Sequence, residues 1–225
     1  MVIPAKAGIQ FPENTMAKIT LYYGPGSCAF ASHIALEELG LRYEAVKMDL
    51  AAGDQRKPEY LALNPRGAVP TLVVDGEPMT ENTGILTYLA GGMPKKGLWP
   101  DDTWHQAKAV STMAWLSNTV HVAYRHYVRP ARYSDDPATH EVIKAKGKAD
   151  FHGYLKEIDG LLEGREWAVG DHYTVVDGYL LVFYRWGNRA GLPVRELKNY
   201  TRLVEKVMAR PAVKKVMAEE GITLD

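Results

Sequence analysis

Strand signals in this chain lie before residue 81, and everything after Thr103 carries the apolar spacing of helix. A chain divided in that way is read as an α/β unit followed by an all-helical one. Its length of 225 residues suits two modest domains.

The first unit opens at Lys18 to Tyr23, a β-branched and aromatic run stopped by Gly24-Pro25-Gly26. Ser27 follows, and small or apolar residues at Ala31, Ile34, Ala35 and Leu39, closed by Gly40, predict a helix from about Cys28. Tyr43 to Met48 reads as a second strand and Ala51 to Lys57 as a loop. After Asn64-Pro65-Arg66-Gly67 come two extended runs, Ala68 to Val74 and Glu77 to Thr80, joined by Asp75-Gly76, a strong hairpin signal. A helix from about Glu81 to Ala90, with Thr80 as N-cap, completes β-α-β then β-β-α, a mixed four-stranded sheet with helices.

The expected boundaries are an extension over 1–15, the first domain over 16–92, a linker over 93–102 and a helical domain over 103–225. Met16, directly before the first strand, suggests a native start there. In the helical domain the pattern predicts a long segment from Thr103 to Val128, one opening at Pro137 after Asp136, one after Thr174, and short ones near the end. Thr174 with Asp177 three residues on has the form of a capping box ahead of a buried helix.

Charge excludes some partners. Lys and Arg number 27, as do Asp and Glu, so no net field draws in nucleic acid or an anionic membrane. No apolar run approaches the roughly 20 residues needed to cross a bilayer, and the first fifteen residues do not read as a secretory signal. One cysteine rules out an internal disulfide and fits the reducing cytoplasm.

That cysteine, Cys28, stands where a helix N-terminus favours an anion. The position suits a reactive thiol, the docking of another molecule's thiolate, or a small buried filler. Val69-Pro70 is either an ordinary strand-start proline or a cis turn that aims the Val69 backbone outward to pair with an extended peptide. Glu81 and Asn82 combine an ammonium acceptor with backbone donors for a carboxylate, the two needs of an α-amino acid head, or simply cap a helix. His121 shares or flanks a face with Ser117, Tyr124, Arg125 and Val128 and could hydrogen-bond a thiol. The seven histidines form no ligand cluster with Cys28, Asp or Glu, so no metal is expected.

Taken together, Tyr22 to Ala29, Asn64 to Pro70 and Thr80-Glu81-Asn82 resemble bacterial glutathione S-transferases, closest to the beta class. The resemblance extends more weakly through His121, the Thr174 to Asp177 box and Arg185-Trp186. It implies a thioredoxin-like first domain, a cis bond at Pro70, a homodimer, a cytoplasmic detoxification role and glutathione as co-substrate. Cys28 would contact the glutathione sulfur, with Ser27 and Tyr23 as rivals. Val69 would hold the cysteinyl backbone, Glu81 and Asn82 the γ-glutamyl end, and His121 would come from the helical domain. The sequence departs from the beta-class pattern at Ala29, at Val122, and over Ala51 to Gly53, which lacks a lysine; Arg56 or Lys57 would serve the glycyl carboxylate instead. Phe30, Tyr124 and Tyr127 suggest an aromatic-tolerant electrophile pocket. Conjugation leads; disulfide or peroxide reduction by Cys28, and a binding protein without turnover, are the alternatives.

Overall fold

The computed structural model describes residues 17–225, so the expected extension over 1–15 lies outside the described residues. Four strands form one sheet in the order β2-β1-β3-β4. Strand β1 (Ile19–Tyr23) runs parallel to β2 (Glu44–Lys47) and antiparallel to β3 (Thr71–Val74), which pairs with β4 (Glu77–Thr80). In that register Leu21 lies opposite Ala45 on one side and Leu72 on the other. The turn between β3 and β4 has both central residues at positive φ, Asp75 at 51° and Gly76 at 89°, the twist that joins two strands in register. Pro78, which cannot donate to a ladder, sits on the edge strand β4.

Helix α1 (Ala29–Leu39) begins beside Cys28 and ends, as expected, at Gly40, whose φ of 66° closes the last turn onto the carbonyls of Glu37 and Leu36. It is buried nearly all round, because it packs against the sheet and against three helices: α3 (Asn82–Gly91), α7 (Val175–Arg189) and α9 (Pro211–Glu220). The expected loop over Ala51 to Lys57 contains a 3₁₀ turn at Asp54–Arg56, and the short helix α2 (Pro58–Leu61) follows. Helix α3 starts one residue later than its capping pattern suggested. Thr80 ends β4 and accepts a hydrogen bond from Arg66 Nη1 at 3.2 Å, leaving Glu81 at the N-cap with φ 71°.

After the 3₁₀ turn at Pro94–Lys96, within the expected linker, only helices follow among the described residues. The predicted segment from Thr103 to Val128 is unbroken in chain but not uniform: α4 (Thr103–Trp115) passes through a π segment at Leu116–Val120 into α5 (His121–Val128). Asp102 caps α4 by accepting from the His105 amide at 3.0 Å. Asp136 caps the turn leading to α6 (His140–Leu161) through the Ala138 amide, also at 3.0 Å. Helix α7 is the axis of the domain, buried from Val175 to Gly187; α8 (Lys198–Ala209) packs on it, and α9 packs on α8 and α1. No helix is long and apolar enough among the described residues to cross a membrane.

Candidate active site

The turn between β1 and α1 is held from the far end of the chain. Gly26 donates its N–H to Glu220 Oε2 on α9 at 2.7 Å. Its carbonyl accepts from Trp186 Nε1 at 3.0 Å and Arg185 Nη1 at 3.3 Å, both on α7. Glu220 is itself anchored by the fully buried His33, whose Nδ1 lies 2.9 Å from Oε1. The helical domain therefore fixes the backbone that delivers Cys28.

Gly26 has φ 64°, and a Cβ there would lie 2.5 Å from Arg185 Nη1. Gly26→Ala combines left-handed backbone cost of about 1–2 kcal/mol with displacement of that guanidinium. A lower melting temperature is expected together with a larger loss of activity per folded molecule, since Cys28 moves with the turn. Calorimetry and kinetics on the same sample check this; a variant that melts like wild type and keeps full activity would show that the turn tolerates the side chain.

Cys28 is half-buried, and its Sγ donates to the Val69 carbonyl at 3.5 Å. The Val69-Pro70 bond is cis, the expected arrangement, and Val69 rather than Pro70 borders the cleft. Asn82 is buried and fully engaged: Oδ1 accepts from Ser32 Oγ at 2.6 Å while Nδ2 donates to the Cys28 carbonyl at 2.7 Å. Its side chain thus steadies Cys28 and leaves only backbone donors for a ligand. Glu81 is exposed beside it, with no side chain capping the first turn of α3.

The thiol does not take the state that its helix terminus suggested. Burial pushes Cys28 up to about 12, the Glu81 carboxylate adds to the rise, and nearby backbone groups and Arg125 offset only part of it. Removing a thiolate from water outweighs the partial charges of one helix end. Ser27, its rival, borders the same cleft and accepts from the Ala29 amide at 3.2 Å, starting α1. Tyr23 is buried against His33, ring centroids 4.9 Å apart, and does not reach the cleft.

The cleft holds about 380 Å³, with Cys28, Val69 and Gln55 on one wall and His121, Tyr124 and Trp186 on the other. The π segment carries the register into His121, as such segments often do at functional sites. Burial, reinforced by Arg125, Arg129 and Arg132, lowers His121 to about 4, so it is neutral near pH 7. Tyr124 stacks on Trp186 with centroids 4.4 Å apart and planes at 15°.

Several expected residues lie elsewhere. Phe30 belongs to the core, turned inward on α1. Tyr127 is off the cleft, with Lys148 Nζ 5.3 Å above its ring. Arg56 and Lys57 do not border the cleft, and Lys57 is paired with Asp54 at 2.7 Å. Gln55 borders it instead, its Nε2 tied to the Leu50 carbonyl at 3.3 Å and its buried Oε1 without a partner among the described residues. Trp186, Arg185 and Glu220 are the structural contributors that local sequence reasoning did not single out for the site. No group of three or more His, Cys, Asp and Glu is arranged to hold a metal among the described residues.

Comparison with known proteins agrees with this layout. Residues 17–91 match the family model described as glutathione S-transferase, N-terminal domain, and residues 116–211 the glutathione S-transferase, C-terminal domain. A relative from Xanthomonas campestris pv. campestris, glutathione S-transferase GST-4.5, is 31% identical over 203 residues, covering 90% of this chain and 98% of its own. A solved glutathione transferase homologue from Sulfitobacter with bound glutathione superposes with a TM-score of 0.86 at 31% identity, covering 91% of this chain and 99% of that one. The bacterial beta class glutathione S-transferase of Sphingomonas chungbukensis gives 0.80 at 31% identity, covering 91% and 100%.

Proposed function

The chain belongs to the glutathione S-transferase family, and we propose that it binds glutathione with its sulfur at Cys28 and joins it to an electrophile held between the sheet domain and the helical domain. The activity is glutathione transfer. Glutathione is the co-substrate, lying along the edge of the domain over 16–92, with the domain over 103–225 supplying the opposite wall. The observation that carries the reading is the 3.5 Å approach of Cys28 Sγ to the Val69 carbonyl, which puts a thiol hydrogen beside the backbone group suited to the cysteinyl residue.

A neutral thiol is a donor rather than a nucleophile. With burial holding Cys28 protonated, it is suited to stabilise the thiolate of glutathione, which attacks in its place. Proximity within the cleft supplies much of the rate. Disulfide or peroxide reduction by Cys28 needs the thiolate that burial suppresses. The test is one set of assays, a chloronitroaromatic conjugation and a hydroxyethyl disulfide reduction on the same preparation. Conjugation is expected to dominate; reduction exceeding it would overturn the proposal.

Glu81 is assigned to the γ-glutamyl ammonium. Its positive φ is a strained conformation for a residue with a side chain, of the kind that persists at ligand clamps. Losing one charged hydrogen bond of this type costs about 1.5–3 kcal/mol, one to two decades of affinity. Glu81→Ala should therefore bind glutathione about ten- to a hundredfold more weakly by calorimetry; unchanged affinity would remove Glu81 from the site. The reaction is placed in the cytoplasm, and a homodimer is the assembly that the family implies, to be read by sedimentation of the purified chain.

A further inference from the structure

Past His121 the cleft changes character. Arg125, Arg129, Arg132 and Arg189 all border it, whereas no aspartate or glutamate does among the described residues. None of the four is paired with a carboxylate among the described residues. Arg125 Nε is buried without a hydrogen-bond partner among the described residues. The guanidinium groups feel one another: Arg132 is held below its ordinary value first by burial, then by Arg129, Arg125 and Arg56. A wall of like charge without counter-charge is electrostatically costly, and an anion entering it relieves that cost.

Glutathione alone does not match this wall. Its γ-glutamyl end is assigned to Glu81 and its sulfur to Cys28, leaving one glycyl carboxylate for four arginines. We propose that the second substrate is an anionic electrophile, an activated ring or enone bearing a carboxylate that faces the arginines while its apolar part lies on the Tyr124 and Trp186 wall. This rests on the reading of the cleft as a glutathione site. With 4-chloro-3,5-dinitrobenzoate as probe, the glutathione thiol gives its proton to solvent, its sulfur forms a bond to the ring carbon, the carbon–chlorine bond breaks, and chloride leaves with its electron pair. The carboxylate is unchanged and serves only recognition.

Binding of the finished conjugates tests this apart from turnover. S-(4-carboxy-2,6-dinitrophenyl)glutathione and its aryl methyl ester differ at the ring substituent by one charge. Calorimetry on the wild-type chain should give the acid an affinity about tenfold or more above the ester at low salt. That ratio should shrink toward unity in 0.5 M NaCl, because the Debye length falls to a few ångströms. In Arg129→Gln/Arg132→Gln it should fall by about fivefold. Equal affinities for acid and ester in the wild type would overturn the inference and leave the glutathione site standing. So would a double variant that weakens both conjugates equally, since the arginines would then serve the glycyl carboxylate alone. Failure of both conjugates to bind would overturn the glutathione reading and this inference with it.

Discussion

Cys28→Ala is expected to lower kcat/KM for conjugation by about one to two decades, while Cys28→Ser retains most of it. A hydrogen bond to a charged acceptor contributes about 1.5–3 kcal/mol, and that is what the thiol would give to a glutathione thiolate. Serine replaces the donor; alanine does not. In the free protein the thiol donates to the Val69 carbonyl, so a ligand whose cysteinyl backbone engages Val69 would release it toward the sulfur. The protonation state separates donor from nucleophile. With burial raising Cys28 to about 12, the thiol keeps its proton at pH 7. Alkylation by iodoacetamide should be slow there and rise about tenfold with each unit of pH through the alkaline range. Intact mass after incubation with oxidised glutathione at neutral pH should show little adduct. Fast adduct formation and an alkylation midpoint below pH 8 would mean that the helix terminus overcomes burial, and would return Cys28 to the role of attacking thiolate. Loss of conjugation in Ser27→Ala with full activity in Cys28→Ala would move the sulfur to Ser27.

What could be read from the sequence was local. Gly24 to Gly26, Asp75-Gly76, Gly40 and the Thr174 to Asp177 box each act through backbone geometry within a few residues, and each stands where the pattern placed it. The grip on Gly26 was not legible, because its partners Arg185, Trp186 and Glu220 lie 159, 160 and 194 residues away. No periodicity links such positions. Phe30 follows Cys28 by two residues, a rotation of about 200° on a helix, which turns it from the cleft into the core. Tyr127 is six residues past His121, about 240° round, and leaves the face that Arg125, Val128 and Arg129 continue. The arginine wall was therefore written at helical spacing, but its meaning depends on the sheet domain standing opposite. The state of Cys28 likewise depends on burial that only the assembled domains create.

The capping box should be the most costly place to disturb the fold without touching the cleft. Asp177 is buried, and its carboxylate accepts from the Thr174 amide at 2.8 Å, the Ala168 amide at 2.8 Å and Thr174 Oγ1 at 3.3 Å. The Val176 amide donates to Thr174 Oγ1 at 3.3 Å. Thr174→Ala/Asp177→Ala leaves these buried N–H groups without acceptors, a cost of about 3–5 kcal/mol when orphaned donors and a lost cap are combined. For a chain of this size the melting temperature should fall by on the order of 10 °C. The acidity of Asp177 gives a second readout. Burial raises it to about 6 against four lowering hydrogen bonds, from the Thr174, Ala168 and Asp177 backbones and the Thr174 side chain, so the folded state binds its proton more tightly than the unfolded chain. Stability from this group is then greatest below about pH 4 and declines as pH rises to about 6. Asp177→Asn removes that slope, so the wild-type advantage over Asp177→Asn should narrow as pH rises from 4 to 6.5 in paired melts. An advantage that widens over the same interval would mean that these donors outweigh burial and hold the carboxyl below its ordinary value.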